Sequence, residues 1–233
     1  MSILNEKTLK VLQSLSSINN SVIMSYPNVC VKDGKSVQAY FDASSLGEAE
    51  FEEFGIYGIT DFLSAVSLVQ DPTIQLDGTV LKISNKTAKV SYNTANVGLL
   101  DEMCRGDFEL LTRIKTNEKI ASFVLTNETF KALRNASNTL KDLPNLNISS
   151  SGAGASEIML KISGHEKTSN SYTTTIEAET TEEFNIIVTL AMLKKIPNGD
   201  FNVDVYKSKK GSKVLVFSSQ NIESLEIILS VKE

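Results

Sequence analysis

Histidine occurs once in the 233 residues, as His165, and cysteine twice, as Cys30 and Cys104. A single histidine excludes a triad built on that residue and any metal site that needs two of them. His165 reads as a surface-loop residue. The two cysteines sit in different segments without metal-type spacing and read as buried free thiols of a reducing compartment. No apolar run approaches the roughly 20 residues that cross a bilayer. Glu6, Lys7 and Lys10 interrupt the first apolar pattern, which no signal peptide would tolerate. The expectation is a soluble, intracellular chain with no membrane partner. No G-x-x-x-x-G-K-[ST] motif surrounds Gly152-Ala153-Gly154, so that stretch reads as a flexible turn. No nucleophile stands near a base. Hence no catalytic residue, metal or cofactor is expected.

Basic excess is also missing. Lys and Arg total 23 against 28 Asp and Glu, a net charge of -5. Taken whole, this balance opposes a polyanionic partner, unless the charges are segregated.

What the chain does have is a repeat. Over residues 127–141, Phe130, Leu133, Ala136 and Leu140 recur every three or four positions and form an apolar helical stripe. Lys131, Arg134, Asn138 and Lys141 recur on another face, and Asn127 is placed to cap the helix. TLKVL at 8–12 echoes TFKAL at 129–133, with Lys10 falling on Lys131 and Ser16 on Ser137. In that register Lys10, Gln13, Ser17 and Asn20 take the places of the second stripe. With 41% hydrophobic residues the chain can bury two ordinary cores. Two domains are expected, 1–110 and 111–233.

The first copy reads as a helix over 5–18, then strands over 21–26, 28–32 and 36–41. Pro27 stops the first strand, and Asp33-Gly34-Lys35 signals a hairpin. An acidic strand over 48–57, with Glu48, Glu50, Glu52 and Glu53 solvated, leads to a short helix over 60–69 capped by Thr60 or Asp61. Strands over 73–76, 80–84 and 88–92 follow. The second copy repeats the order with a strand over 119–125, the helix at 127, and strands over 158–162, 171–177 and 184–188. A short helix over 190–196 then precedes strands over 203–206, 213–217 and 225–231. Residues 147–156 read as a loop, and 98–117 as a connector without strong period. The class is α+β, with antiparallel sheet and helices on one face.

Lys7, Lys10, Lys131, Arg134, Lys141, Lys194 and Lys195 fall on the expected helices or at their ends. They are either solvated faces or parts of a shared cationic surface. The lysine-rich hairpin 207–213 is either a nucleic-acid patch or a cationic tip that keeps a sheet edge soluble.

Three stretches carry a family resemblance: LKVLQSLSSIN at 9–19 followed by VIM at 22–24, FGIYGITDFLSAVSLVQD at 54–71, and EEFNIIVTLAMLKKIPNGDF at 182–201. In them the chain resembles the sliding DNA clamps of T-even-type bacteriophages. The resemblance implies a homotrimer closed into a ring, each subunit having two similar clamp-type domains with two short helices each. Duplex DNA would pass through the hole without sequence preference, facing Lys7, Lys10, Lys131, Arg134, Lys141, Lys194 and Lys195. Such a clamp is a non-enzymatic processivity factor for DNA replication. It tethers the replicative DNA polymerase, is loaded by an ATP-dependent clamp loader, and in relatives supports late transcription. Its place would be the replication fork in the cytoplasm of an infected bacterial host. Partner tails of such clamps dock in an apolar pocket, for which the connector offers Leu99, Leu100, Met103 and Phe108. One feature departs from the pattern: the helix over 60–69 carries Asp61 and no cation. The alternative reading is a self-assembling structural or adaptor protein of a virus particle.

Overall fold

Both long helices begin with the same hydrogen bond, 121 positions apart. In the computed structural model, which describes residues 2–34, 36–140, 143–163 and 170–231, helix α1 (Glu6–Leu15) is capped by Asn5. The Asn5 side chain accepts from the Thr8 backbone N–H. The Thr126 side chain accepts in the same way from Thr129 in the later helix, Asn127–Thr139. Side-chain oxygens at this position satisfy one of the four N–H groups that open every helix. The cap of the second helix is therefore Thr126, and Asn127 is its first helical residue. The chain divides into two compact units, Met1–Phe108 with Ile222–Leu225, and Glu109–Asn221 with Glu226–Glu233.

In unit 1, β1 (Ser21–Met24) follows α1, then the hairpin β2 (Asn28–Asp33) and β3 (Val37–Asp42). Strand β4 (Phe54–Tyr57) pairs antiparallel with β1 and leads into α2 (Ile59–Ser67). Strands β5 (Thr73–Asp77), β6 (Val80–Ser84) and β7 (Lys89–Asn93) form an antiparallel sheet in that order. Val11, Leu12 and Leu15 of α1 and Ile59, Phe62 and Val66 of α2 are buried, each contributing about 1.5–3 kcal/mol. Helix α2 has no side-chain cap of its own. Its N-cap, Gly58, has φ +84°, a conformation that glycine adopts without strain. Asn20 provides the acceptors instead, through its O to Ile59 N–H at 2.6 Å and its Oδ1 to Thr60 N–H at 3.0 Å. Neither Thr60 nor Asp61 caps this helix.

The acidic stretch before β4 is not a strand. Glu48 is 7% exposed, and its Oε1 accepts from Asn5 N–H at 2.7 Å and from the Thr8 hydroxyl. A buried carboxylate at a helix start is favoured by the orphan N–H groups and the helix dipole. Glu53 pairs with Arg105 at 2.9 Å.

The stretch read as an irregular connector contains two helices, α3 (Val97–Cys104) and α4 (Phe108–Lys115). All four residues of β1 are buried, so the strand needs cover on both faces. Leu100 and Cys104 of α3 pack against its Ile23. Beyond α3, Val31 and Arg105 form a β-bridge, the Tyr40 hydroxyl donates to Asp107 O at 3.0 Å, and Asp107 N–H donates to Gln38 Oε1 at 3.1 Å. Gly106 lies so close to β2 that a Cβ there would run into Cys30 Sγ.

Burial pushes the Cys30 thiol from 9.0 up to about 12, and raises Cys104 as well. Neither thiol should react with iodoacetamide at pH 8 until the chain is denatured, when both should be labelled. Because the unfolded Cys30 thiol ionises near 9.0 and the folded one near 12, its contribution to stability is complete below the first value. It is lost as pH rises towards the second.

Unit 2 is an antiparallel sheet whose strands lie in the order β12, β9, β10, β11, β8, β13, β14, β15. In chain order these are β8 (Glu118–Leu125), then α5 (Asn127–Thr139), β9 (Asn145–Ser150), β10 (Glu157–Ser163), β11 (Ser171–Thr180) and β12 (Phe184–Thr189). Helix α6 (Leu190–Leu193), β13 (Phe201–Lys207), β14 (Lys213–Ser219) and β15 (Glu226–Ser230) follow. The segment expected as a loop over 147–156 contributes most of β9, where Leu146, Ile148 and Ser150 are buried in alternation. Only its Ser- and Gly-rich end turns. Phe130 and Leu133 of α5 are fully buried, and the Phe130 ring lies 5.9 Å from Phe201 and 6.4 Å from Phe217. His165 lies outside the described residues.

Candidate nucleic-acid interface

The exposed faces of the four helices flanking the sheets differ sharply in charge. On α1 the exposed residues are Glu6, Lys7, Lys10 and Gln13, with Ser17 just beyond its end. Lys10 pairs with Glu6 one turn back at 2.7 Å, and Lys7 approaches Glu223 at 3.8 Å. The Lys10 ammonium holds the Glu6 carboxyl below its usual range. Both expected cations of this helix therefore already face a carboxylate. Helix α2 exposes Thr60, Asp61, Ser64 and Ser67 and adds no positive charge.

On α5 the exposed stripe is Glu128, Lys131, Asn135 and Asn138. Lys131 is exposed, and among the described residues no carboxylate pairs with it. The same holds for Lys194, the C-cap of α6. Lys195 next to it is half-buried and engaged. Lys141 lies outside the described residues.

Arg134 occupies a different position from its neighbours. Its guanidinium donates to Leu193 O at 3.5 Å, to Ile196 O and to Asn198 Oδ1, and stacks 5.4 Å from the Phe130 ring centroid. Carbonyls at the end of a helix lack partners within it, and Arg134 supplies them for α6. Burial lowers its pKa from the usual arginine value, although a guanidinium stays charged at neutral pH. Its buried Nε has no hydrogen-bond partner, and neither does Asn127 Oδ1. The side chain fixes α6 against α5 and so sets where Lys194 stands relative to Lys131. Helical spacing gave the position of Arg134 but not its inward turn. The signal available was an aromatic residue four positions earlier, which offers the guanidinium a ring to stack on.

The four apolar connector residues separate into two sets. Leu100 is 2% exposed and anchors α3, whereas Leu99 and Met103 are 74% and 51% exposed and lie four residues apart on one helical face. Phe108 is half-buried at the start of α4. Among the described residues no group of three or more His, Cys, Asp or Glu is arranged to hold a metal, and no helix is long and apolar enough to cross a membrane.

The fold is that of the sliding clamps. A putative DNA polymerase III beta subunit from Eubacterium rectale matches 97% of this chain at TM-score 0.63 and 14% identity, the match covering 62% of its own length. Proliferating Cellular Nuclear Antigen from Entamoeba histolytica matches at TM-score 0.65 and 17% identity, over 97% of this chain and 94% of its own. A. fulgidus PCNA, solved with the C-terminal region of FEN-1 bound, matches at TM-score 0.64 and 14% identity with the same coverage. This chain thus spans less than two thirds of the beta subunit and nearly all of either PCNA. No family model and no curated protein matches the sequence.

Proposed function

We propose that three copies of this chain close into a ring around duplex DNA and act, without chemistry of their own, as a processivity factor in replication. What supports this reading is a clamp fold over nearly the whole chain, carrying exposed lysines on short helices. Phosphate contacts of this kind attract DNA without reading its sequence. Lys131 and Lys194 are the main attracting groups, with Lys195 and Lys141 secondary, whereas Lys7 and Lys10 face the duplex already paired with Glu223 and Glu6. Arg134 has a positioning role. Leu99 and Met103 on α3 offer an apolar contact for the tail of a replicative polymerase or an ATP-dependent loader, with Leu100 holding that helix in place and Phe108 bordering it. A bound C-terminal region in one PCNA structure fits the same mode of docking. The T-even phage resemblance extends the reading to late transcription and to the cytoplasm of an infected bacterium.

Closure needs two free strand edges. Among the described residues, β7 pairs only with β6, and only Ala178–Thr180 of β11 reach β8, leaving residues 171–177 paired on one side. Lys89 on the first edge and Glu177 and Glu179 near the second are exposed and of opposite sign. Pairing these edges between neighbours would cover both. Light scattering should find a discrete species of about 76 kDa, three times 25.5 kDa. A monomer or a ladder of open polymers at micromolar concentration would count against the ring.

A further inference from the structure

We infer that, within the clamp proposed above, attraction for the DNA phosphates comes from unit 2 and not from unit 1. The charge on each pair of helices is the ground. Helices α1 and α2 carry Lys7 and Lys10 against Glu6 and Asp61, which balance. Glu223, brought beside Lys7 from the far end of the chain, tips that surface to the acidic side. Helices α5 and α6, taken through the C-cap Lys194, carry Lys131, Arg134 and Lys194 against Glu128 alone. The repeat makes the contrast sharper. In the register that superposes the two caps, Lys10 matches Lys131, but Lys7 matches Glu128 and Gln13 matches Arg134.

Distance explains why local balance decides. Exposed charges further apart than the Debye length, about 8 Å at physiological ionic strength, barely influence one another. A phosphate passing over α1 therefore meets each lysine together with its carboxylate, at 2.7 and 3.8 Å. To take a phosphate, such a lysine must surrender a carboxylate, and little is gained. A phosphate passing over α5 and α6 meets Lys131 and Lys194, with which no carboxylate is paired among the described residues. A three-subunit ring would then present three attracting units alternating with three indifferent ones. The duplex would be drawn to half of the lining at a time.

The test uses the full chain, first checked for assembly, and a short fluorescent linear duplex at stepped salt. In one variant Glu6→Gln, Lys7→Gln, Lys10→Gln and Glu223→Gln together erase the charges of the α1 surface without altering net charge. In a second, Lys131→Gln and Lys194→Gln remove the unit 2 cations. In a third, Lys209→Gln and Lys210→Gln on the exposed β13–β14 hairpin change net charge equally at another place. The first should bind within about twofold of the parent. The second should lose about tenfold or more at low salt, with a flatter dependence of affinity on salt. The third should lose much less than the second. A loss from the first variant as large as that from the second would overturn the inference, and so would equal losses from the second and third. A parent protein that stays on closed circles yet shows no salt-dependent attraction would also overturn it and leave the clamp intact. A parent held equally by circles and linear DNA would instead count against the clamp itself.

Discussion

Protein loaded on a nicked circle and freed of excess should stay there for many minutes, then leave almost completely once the circle is cut to a linear duplex. The loading step uses the cognate loader and ATP, and the measurement is the bound fraction after gel filtration with and without the cut. Each chain carries a net charge of -5, and the diffuse phosphate contacts proposed for its exposed lysines would weaken steeply with salt. Contacts of that sort cannot hold a protein for long at physiological ionic strength. They also cannot sense whether the DNA has ends, since a phosphate patch responds only to charge within about one Debye length. Long retention that depends on closure must then come from encirclement. Blocking both ends of the linear product with bulky proteins should restore it. Equal retention before and after cutting would remove the ring from the mechanism, whatever the fold.

Phe130→Ala should be the most destabilising single change in unit 2, by about 3–5 kcal/mol. The ring is fully buried and is one of three phenylalanines, with Phe201 and Phe217, whose centroids stand 5.9 to 6.4 Å apart. Truncation leaves a cavity between α5 and the sheet that these stiff partners cannot fill. It also removes the ring under Arg134, loosening the guanidinium that holds the end of α6. Against a typical total of 5–15 kcal/mol, such a loss should lower the melting temperature by roughly 10–20 °C, read by circular dichroism. Phe130→Leu should recover much of the loss, because it restores volume without the aromatic edge. A fall of only a few degrees for Phe130→Ala would mean that α5 contributes little to this core.

The helices flanking the sheets were legible because their signals are local. Apolar residues at three- and four-residue spacing place α1 and α5 to within a few residues, although the cap of α5 is Thr126 and not Asn127. Other features depend on partners distant in sequence. Glu48 looked like one of four solvated carboxylates, and only the fold brings it under Asn5 and Thr8. The alternation of Leu146 and Ile148 was masked by the Asn and Ser residues around them, so β9 read as loop until β10 and β12 flanked it. Helix α3 is short, and its apolar residues divide between a buried pair and an exposed pair, which cancels any periodic signal. Candidate interface residues were legible as positions on helices but not as environments. Lys10 beside Glu6 is a spacing anyone can read, whereas Lys7 beside Glu223 and Arg134 beneath Ile196 are matters of three-dimensional structure.

The one-sided pairing of β11 bears on what happens when sound and faulty copies are synthesised together. A copy with proline in residues 171–177 could still offer its β7 edge to a neighbour but could not receive one. Wherever it joined, assembly would stop as an open arc. In the three-membered ring proposed above, closure would require all members to be competent, so the yield of rings would follow the cube of the sound fraction. A modest share of such copies therefore inhibits out of proportion to its number, and inheritance of the fault would be dominant, because a subunit that assembles on one side only acts as a poison and not merely as a loss.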